Sequence, residues 1–141
     1  MTINQISIFL ENKYGKLSEI LAMLGKENIR IIAATVADTS EFGILRIIVN
    51  DAQKAYDLLK RNNVNANITD VLAITTKSEA GTFAYTFNLF TMAGLSIEYM
   101  YCFSVGEQSI LILRTNNRNA ALEVIQKNNL GYIDENKLNS L

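Results

Sequence analysis

The side chains that carry most enzyme chemistry are missing or isolated in this sequence of 141 residues. There is no histidine, which excludes Ser-His-Asp and Cys-His arrangements and histidine metal sites. Cys102 is the single cysteine, so an internal disulfide and any Cys-x-x-Cys metal or redox pair are excluded as well. Neither glycine-rich phosphate loop, Gly-x-x-x-x-Gly-Lys-Ser/Thr or Gly-x-Gly-x-x-Gly, occurs. The 14 acidic residues are scattered over helical and turn positions, as solvated surface charge is. One segment remains that is suited to recognition, Glu11-Asn12-Lys13-Tyr14-Gly15-Lys16-Leu17. A helix opening near Gly15 presents the unpaired N–H groups of Gly15, Lys16 and Leu17, with the positive end of the macrodipole behind them. Such an end receives a carboxylate. Gly15 permits close backbone approach and an unusual φ, and it serves equally as a plain helix start.

Composition narrows the class further. Hydrophobic residues make up 49% of the chain, enough for packed cores and against disorder. The formal net charge is -1 and the pI about 5.4, so nothing points to nucleic acid or an anionic membrane. No apolar run approaches the roughly 20 residues needed to cross a bilayer. The opening Met1-Thr2-Ile3-Asn4-Gln5-Ile6 lacks the pattern of a secretory signal, and a cytoplasmic protein is expected.

The elements that must position the Gly15 segment come from a repeat. Displaced by 66 residues, the chain aligns with itself without a gap. Ile8 falls on Ile74, Gly15 on Gly81, Ile31 on Ile97, Ile44-Leu45 on Ile110-Leu111, Ala55 on Ala121 and Asn62-Asn63 on Asn128-Asn129. The periodicity also changes type at matching places. Ile6, Ile8 and Leu10 alternate as in a strand, and Leu17, Ile20, Leu21 and Leu24 share a helical face that Gly25 and Asn28 can end. Residues 29–38 and 43–49 read as strands around a turn at 39–42. Asn50-Asp51 suits an N-cap for a helix carrying Ala52, Ala55, Leu58 and Leu59, and Val64 opens another strand. In the second half the strands are 71–74, 95–103, 108–114 and 130–133. Phe83, Phe87 and Phe90 mark one helix; Asn116-Asn117 caps another that carries Ala121, Val124 and Ile125.

Each half is therefore β-α-β-β-α-β, an α+β ferredoxin-like unit: a four-stranded antiparallel sheet with both helices on one face. The expected boundaries are 1–68 and 69–134, with 135–141 a short tail, and 64–76 is a candidate for one strand serving both units. Tyr99, Tyr101 and Phe103 are expected on one strand face with Leu95 and Ile97, in a packed aromatic core, and Met100 and Cys102 on the opposite face. An RNA-recognition module has this strand order but needs stacking aromatics on its central strands, and 43–49 has none. An acylphosphatase-like enzyme needs an arginine cradle, and 11–16 contains no arginine.

The ordered set of segments resembles the ACT domain, twice over and across nearly the whole chain. Phe9 to Leu17 resembles its strand-loop-helix opening, and Ala37 to Arg46 its second and third strands in free-standing tandem proteins. Asn28-Ile29-Arg30-Ile31 and Gly94-Leu95-Ser96-Ile97-Glu98-Tyr99 resemble its helix-to-strand step. The proline usual before the loop glycine is Tyr14 in the first unit and Ala80 in the second, and the second loop, Lys77-Ser78-Glu79-Ala80-Gly81, lacks the asparagine. The first loop is thus the better match.

The resemblance implies a non-catalytic regulatory protein that binds a free amino acid where two units meet. No cofactor or metal is implied; a homodimer is, and an enzyme of amino-acid metabolism is the implied partner. The ligand set implied is Leu10, Glu11, Asn12, Tyr14, Gly15, Lys16, Leu17 and Asp38, with Glu98, Tyr99, Met100 and Tyr101 on the matching strand of the other unit. Glu11, Asn12 or Asp38 would accept from the ligand's ammonium. The alternative is a ligand-independent regulatory subunit that docks on such an enzyme.

Overall fold

The computed structural model describes residues 2–11, 15–38 and 42–141. The chain divides into two units, Asn4–Asp70 and Met1–Ile3 with Val71–Leu141. Among the described residues there are seven strands and five helices.

The first unit runs β1 (Thr2–Glu11), α1 (Lys16–Lys26), β2 (Ile31–Asp38), β3 (Phe42–Val49), α2 (Ala52–Arg61) and the start of β4 (Ala66–Lys77). The antiparallel order is β2-β3-β1-β4. Register places Ile6 opposite Ile47, Ile8 opposite Leu45 and Leu10 opposite Gly43. One face of the sheet carries Ile6, Ile8, Leu10, Leu45, Ile47 and Val49, which join Ile20 and Leu24 of α1 and Ala55, Leu58 and Leu59 of α2 in one core. Leu21 departs from the expected helical face and is exposed, since Leu17, Ile20, Met23 and Leu24 already fill the sheet side of α1.

The second unit takes the rest of β4, then α3 (Thr82–Met92), β5 (Ile97–Val105), β6 (Gln108–Thr115), α4 (Arg118–Lys127), β7 (Gly131–Tyr132) and α5 (Glu135–Leu138). Its strands follow the same plan, β5-β6-β4-β7. Its core gathers Leu72, Ile74, Leu111 and Leu113 from the sheet with Phe90 of α3 and Ala121, Val124 and Ile125 of α4. β4 is a single strand of 12 residues, so the continuous strand expected over 64–76 is present with its ends at Ala66 and Lys77. The segment read as a tail forms α5, capped by Asp134 accepting from the Lys137 N–H at 2.9 Å, and Leu138 is buried.

The asparagines that recur at a 66-residue offset each do a defined job. Asn50 and Asn116 accept at Oδ1 from the N–H of Arg30 (2.8 Å) and of Ser96 (3.1 Å), tying each second helix's entry to the preceding strand. Asp51 and Asn117 cap α2 and α4 by accepting from Lys54 and Ala120. Asn28, Asn63 and Asn129 take positive φ (58°, 58° and 51°), and Gly94 does so at 74°. Past each of these the chain folds back, with Ile29, Val64, Leu95 and Leu130 donating to the carbonyls of Leu24, Leu59, Phe90 and Ile125, the closing bond of a Schellman motif. Removing either N-cap, by Asp51→Ala or Asn117→Ala, is expected to cost about 1 kcal/mol of stability in urea unfolding.

Candidate functional site

β1 ends and α1 begins on either side of residues 12–14, and the described residues around that gap form a groove of about 250 Å³. Leu10 and Val64, both buried, lie deepest among its lining residues. Glu11, Lys16, Asn63 and Asn65 supply polar groups, and Phe9 and Phe42 stand at the rim, 40% and 54% exposed. Two features of the fold assemble this set. Register puts Glu11 opposite Phe42, so the ends of β1 and β3 arrive together. The Phe9 N–H donates to the Asn65 carbonyl at 2.9 Å, which draws the loop after α2 against β1.

Helix α1 opens on Gly15, at φ 81° and ψ -3°, with no side-chain cap among the described residues. A Cβ at Gly15 would meet nothing within 4 Å, so the left-handed backbone, rather than crowding, asks for glycine there. Lys16 is the first helical residue, and its Nζ lies 3.9 Å from Glu19 Oε2 with 37% of the side chain exposed. A pair this exposed contributes little stability and leaves the ammonium within reach of an anion at the helix end. The arrangement offers an acid, a base and the first N–H groups of a helix over an apolar floor. Its size lies near the lower end of small-molecule pockets, roughly 300 Å³.

Of the expected site residues in this unit, the groove brings together Leu10, Glu11 and Lys16, with Gly15 and Leu17 at the adjoining helix start. Leu17 packs on the core. Asp38 ends β2 opposite Gly43, which is itself opposite Leu10, so Asp38 lies two strands away and does not line the groove. Asn12, Tyr14 and most of the expected 39–42 turn lie outside the described residues. Phe9, Phe42, Asn63, Val64 and Asn65 were not among the site residues expected from the sequence.

The second unit repeats the glycine-led helix start, Gly81 at φ 86° before α3. Lys77 and Thr82 stand where the first unit has Glu11 and Lys16, so the acid–base pair is not repeated. A separate recess at the end of β4 is lined by Lys77, Ser78, Glu79 and 106–108, where the Ser78 N–H donates to the Glu107 carbonyl.

The face expected for the aromatics of β5 is corrected by a register shift between Ile97 and Tyr99. Ile97 packs on the helix-side core, whereas Tyr99, Tyr101 and Phe103 pair with Arg114, Ile112 and Ile110 on the other face, half-buried. Met100 and Cys102 lie opposite Leu113 and Leu111, on the helix side but exposed at the end of the sheet order. The extra residue of a bulge inverts the alternation. Glu98 at the shift lies 3.7 Å from the Arg114 guanidinium, both about half exposed.

Among the described residues no group of three or more Asp, Glu or Cys is placed to hold a metal, and no helix is long and apolar enough to cross a membrane. The fold is shared with solved structures. Protein BT0572 from Bacteroides thetaiotaomicron is 38% identical, with a TM-score of 0.94 over 100% of this chain and 98% of that one. The regulatory subunits of aspartate kinase from Thermus thermophilus (ligand-free form) and Thermus flavus are 14% and 18% identical, with TM-scores of 0.62 and 0.60. Each comparison covers 88% of this chain and 90% of the other, and at that identity they bear on the fold alone. No curated protein matches by sequence. The family model for the ACT domain pair matches residues 1–141, and each unit has the ferredoxin-like plan, so the chain belongs to the ACT domain pair family.

Proposed function

We propose that this chain is a non-catalytic regulatory protein that binds a free amino acid in the groove of its first unit and thereby modulates an enzyme of amino-acid metabolism. The observation that carries the reading is the meeting of Glu11, Lys16 and the glycine-led start of α1 around one groove of about 250 Å³. A zwitterion uses all three. Its carboxylate is received by the first-turn N–H groups and the Lys16 ammonium, and its ammonium by Glu11. Its side chain lies toward Phe9 and Phe42. Regulation follows only where the ligand prefers one of two states of the protein or its complex.

The test is a thermal-shift panel of the purified protein against the twenty amino acids at millimolar concentration, with nucleotides as controls. One selective amino acid is expected to stabilise the protein, by roughly 2.7 kcal/mol at a hundred times its dissociation constant. Glu11→Gln and Lys16→Gln are each expected to weaken that response. A response only to nucleotides, or one indifferent to both substitutions, overturns the assignment.

A further inference from the structure

We propose that the helix layer of the second unit is the surface on which a second copy of this chain docks. The two repeats share a plan, so the helix layer of the first unit is the comparison for that of the second. There α1 ends in Lys26 and Glu27, and the Lys54 Nζ reaches across from α2 to the Glu27 carbonyl at 2.8 Å, closing the gap between the helices. At the matching positions of the second unit stand Met92, Ala93 and Ala120. The gap is open there, a groove of about 350 Å³ between α3 and α4. From Thr82 to Gly94 no residue is charged. Met92, which lines the groove, is 77% exposed, the highest among the described large hydrophobics, and Tyr85 on the same helix is 64% exposed.

A methionine and a tyrosine left in water on an uncharged helix are the composition of an interface core. The occupant is fixed by self-complementarity. The same patch holds an apolar groove and, on its wall, the exposed Met92, whose sulfur accepts from Asn88 Nδ2 at 3.5 Å; a two-fold axis brings the Met92 wall of each copy against the groove of the other. The groove's charged wall carries one residue of each sign, Glu123 and Lys127, one helical turn apart on α4. With two α4 helices antiparallel, Glu123 of each copy faces Lys127 of the other, and no like charges meet. This inference does not depend on the ligand reading.

Sedimentation equilibrium of the full chain at micromolar concentration tests it. The wild type is expected at twice the chain mass. The triple variant Met92→Lys, Ala93→Glu, Ala120→Lys installs the first unit's own residues and is expected to associate roughly a hundredfold more weakly. Leu21→Lys, on the first unit's exposed helix surface, is expected to leave association unchanged. Met92→Lys alone repeats the test at a water-exposed position should the triple variant fold poorly. A monomeric wild type, or a dimer insensitive to Met92→Lys, overturns the proposal.

Discussion

Phe90→Ala is expected to destabilise the second unit by about 3–5 kcal/mol, the cost of removing a large aromatic from a core that closes only partly around the cavity. Phe90 is fully buried, and it packs with Leu72, Ile74, Leu111 and Leu113 of the sheet and with residues of α4. Domains of this size are stable by about 5–15 kcal/mol, so the loss is a large fraction of the whole. Phe83 and Phe87 provide the comparison on the same helix. They are half-buried and meet edge to face, with centroids 6.3 Å apart, so Phe83→Ala is expected to cost less than Phe90→Ala. Urea unfolding followed by tyrosine emission reads both, since the chain has six tyrosines and no tryptophan. A loss below about 1 kcal/mol for Phe90→Ala would mean that the site collapses freely and that α3 is not anchored by its aromatics.

What the sequence revealed and what it hid divide along the range of the interactions. Strands and helices of both units were legible because each has an apolar face whose spacing is local: Ile6, Ile8 and Leu10 for β1, Ala55, Leu58 and Leu59 for α2. The recurring asparagines were visible as a repeat, and the structure gives their reason in caps and left-handed helix ends, which are also local. The bulge in β5 was not legible. It adds a residue without altering composition, and reading a period of two through it puts Tyr99, Tyr101 and Phe103 on the wrong face. A matching register shift in β2, between Ile31 and Ala33, repeats the feature at a 66-residue offset. The groove was half legible. Leu10, Glu11 and Lys16 are neighbours in sequence, whereas Phe42 and Asn63 to Asn65 reach it through the β1–β3 register and the Phe9–Asn65 bond. Asp38 was expected as an acceptor for the ammonium, and it ends β2 opposite Gly43, two strands from β1. The helix α5 did have a local signal, Asp134 three residues before the lysine whose N–H it caps.

Because the two loop glycines share one conformation and differ in their surroundings, replacing each with leucine separates folding from binding. Gly15 and Gly81 sit at φ 81° and 86°, and a Cβ on either meets nothing within 4 Å. Leucine at either position therefore pays only for the left-handed backbone, and both variants are expected to lose about 1–2 kcal/mol of stability. Their effects on the amino acid are expected to diverge. At Gly15 the new side chain projects beside the first turn of α1, and any shift of the turn misaligns N–H groups that receive the carboxylate. Bonds to a charged group contribute about 1.5–3 kcal/mol each, so losing one or two weakens binding by about tenfold to about twenty-thousandfold. Gly81→Leu is expected to leave the affinity within about threefold of wild type, because Lys77 and Thr82 replace the acid and the base at that end. Calorimetric titration of the responding amino acid, alongside urea unfolding of the same preparations, reads both quantities. Equal losses of affinity would place the ligand at both loops. A loss confined to Gly81→Leu would move the site to the second unit, where the helix start is also glycine-led but Glu79 and Glu107 are the nearby acids.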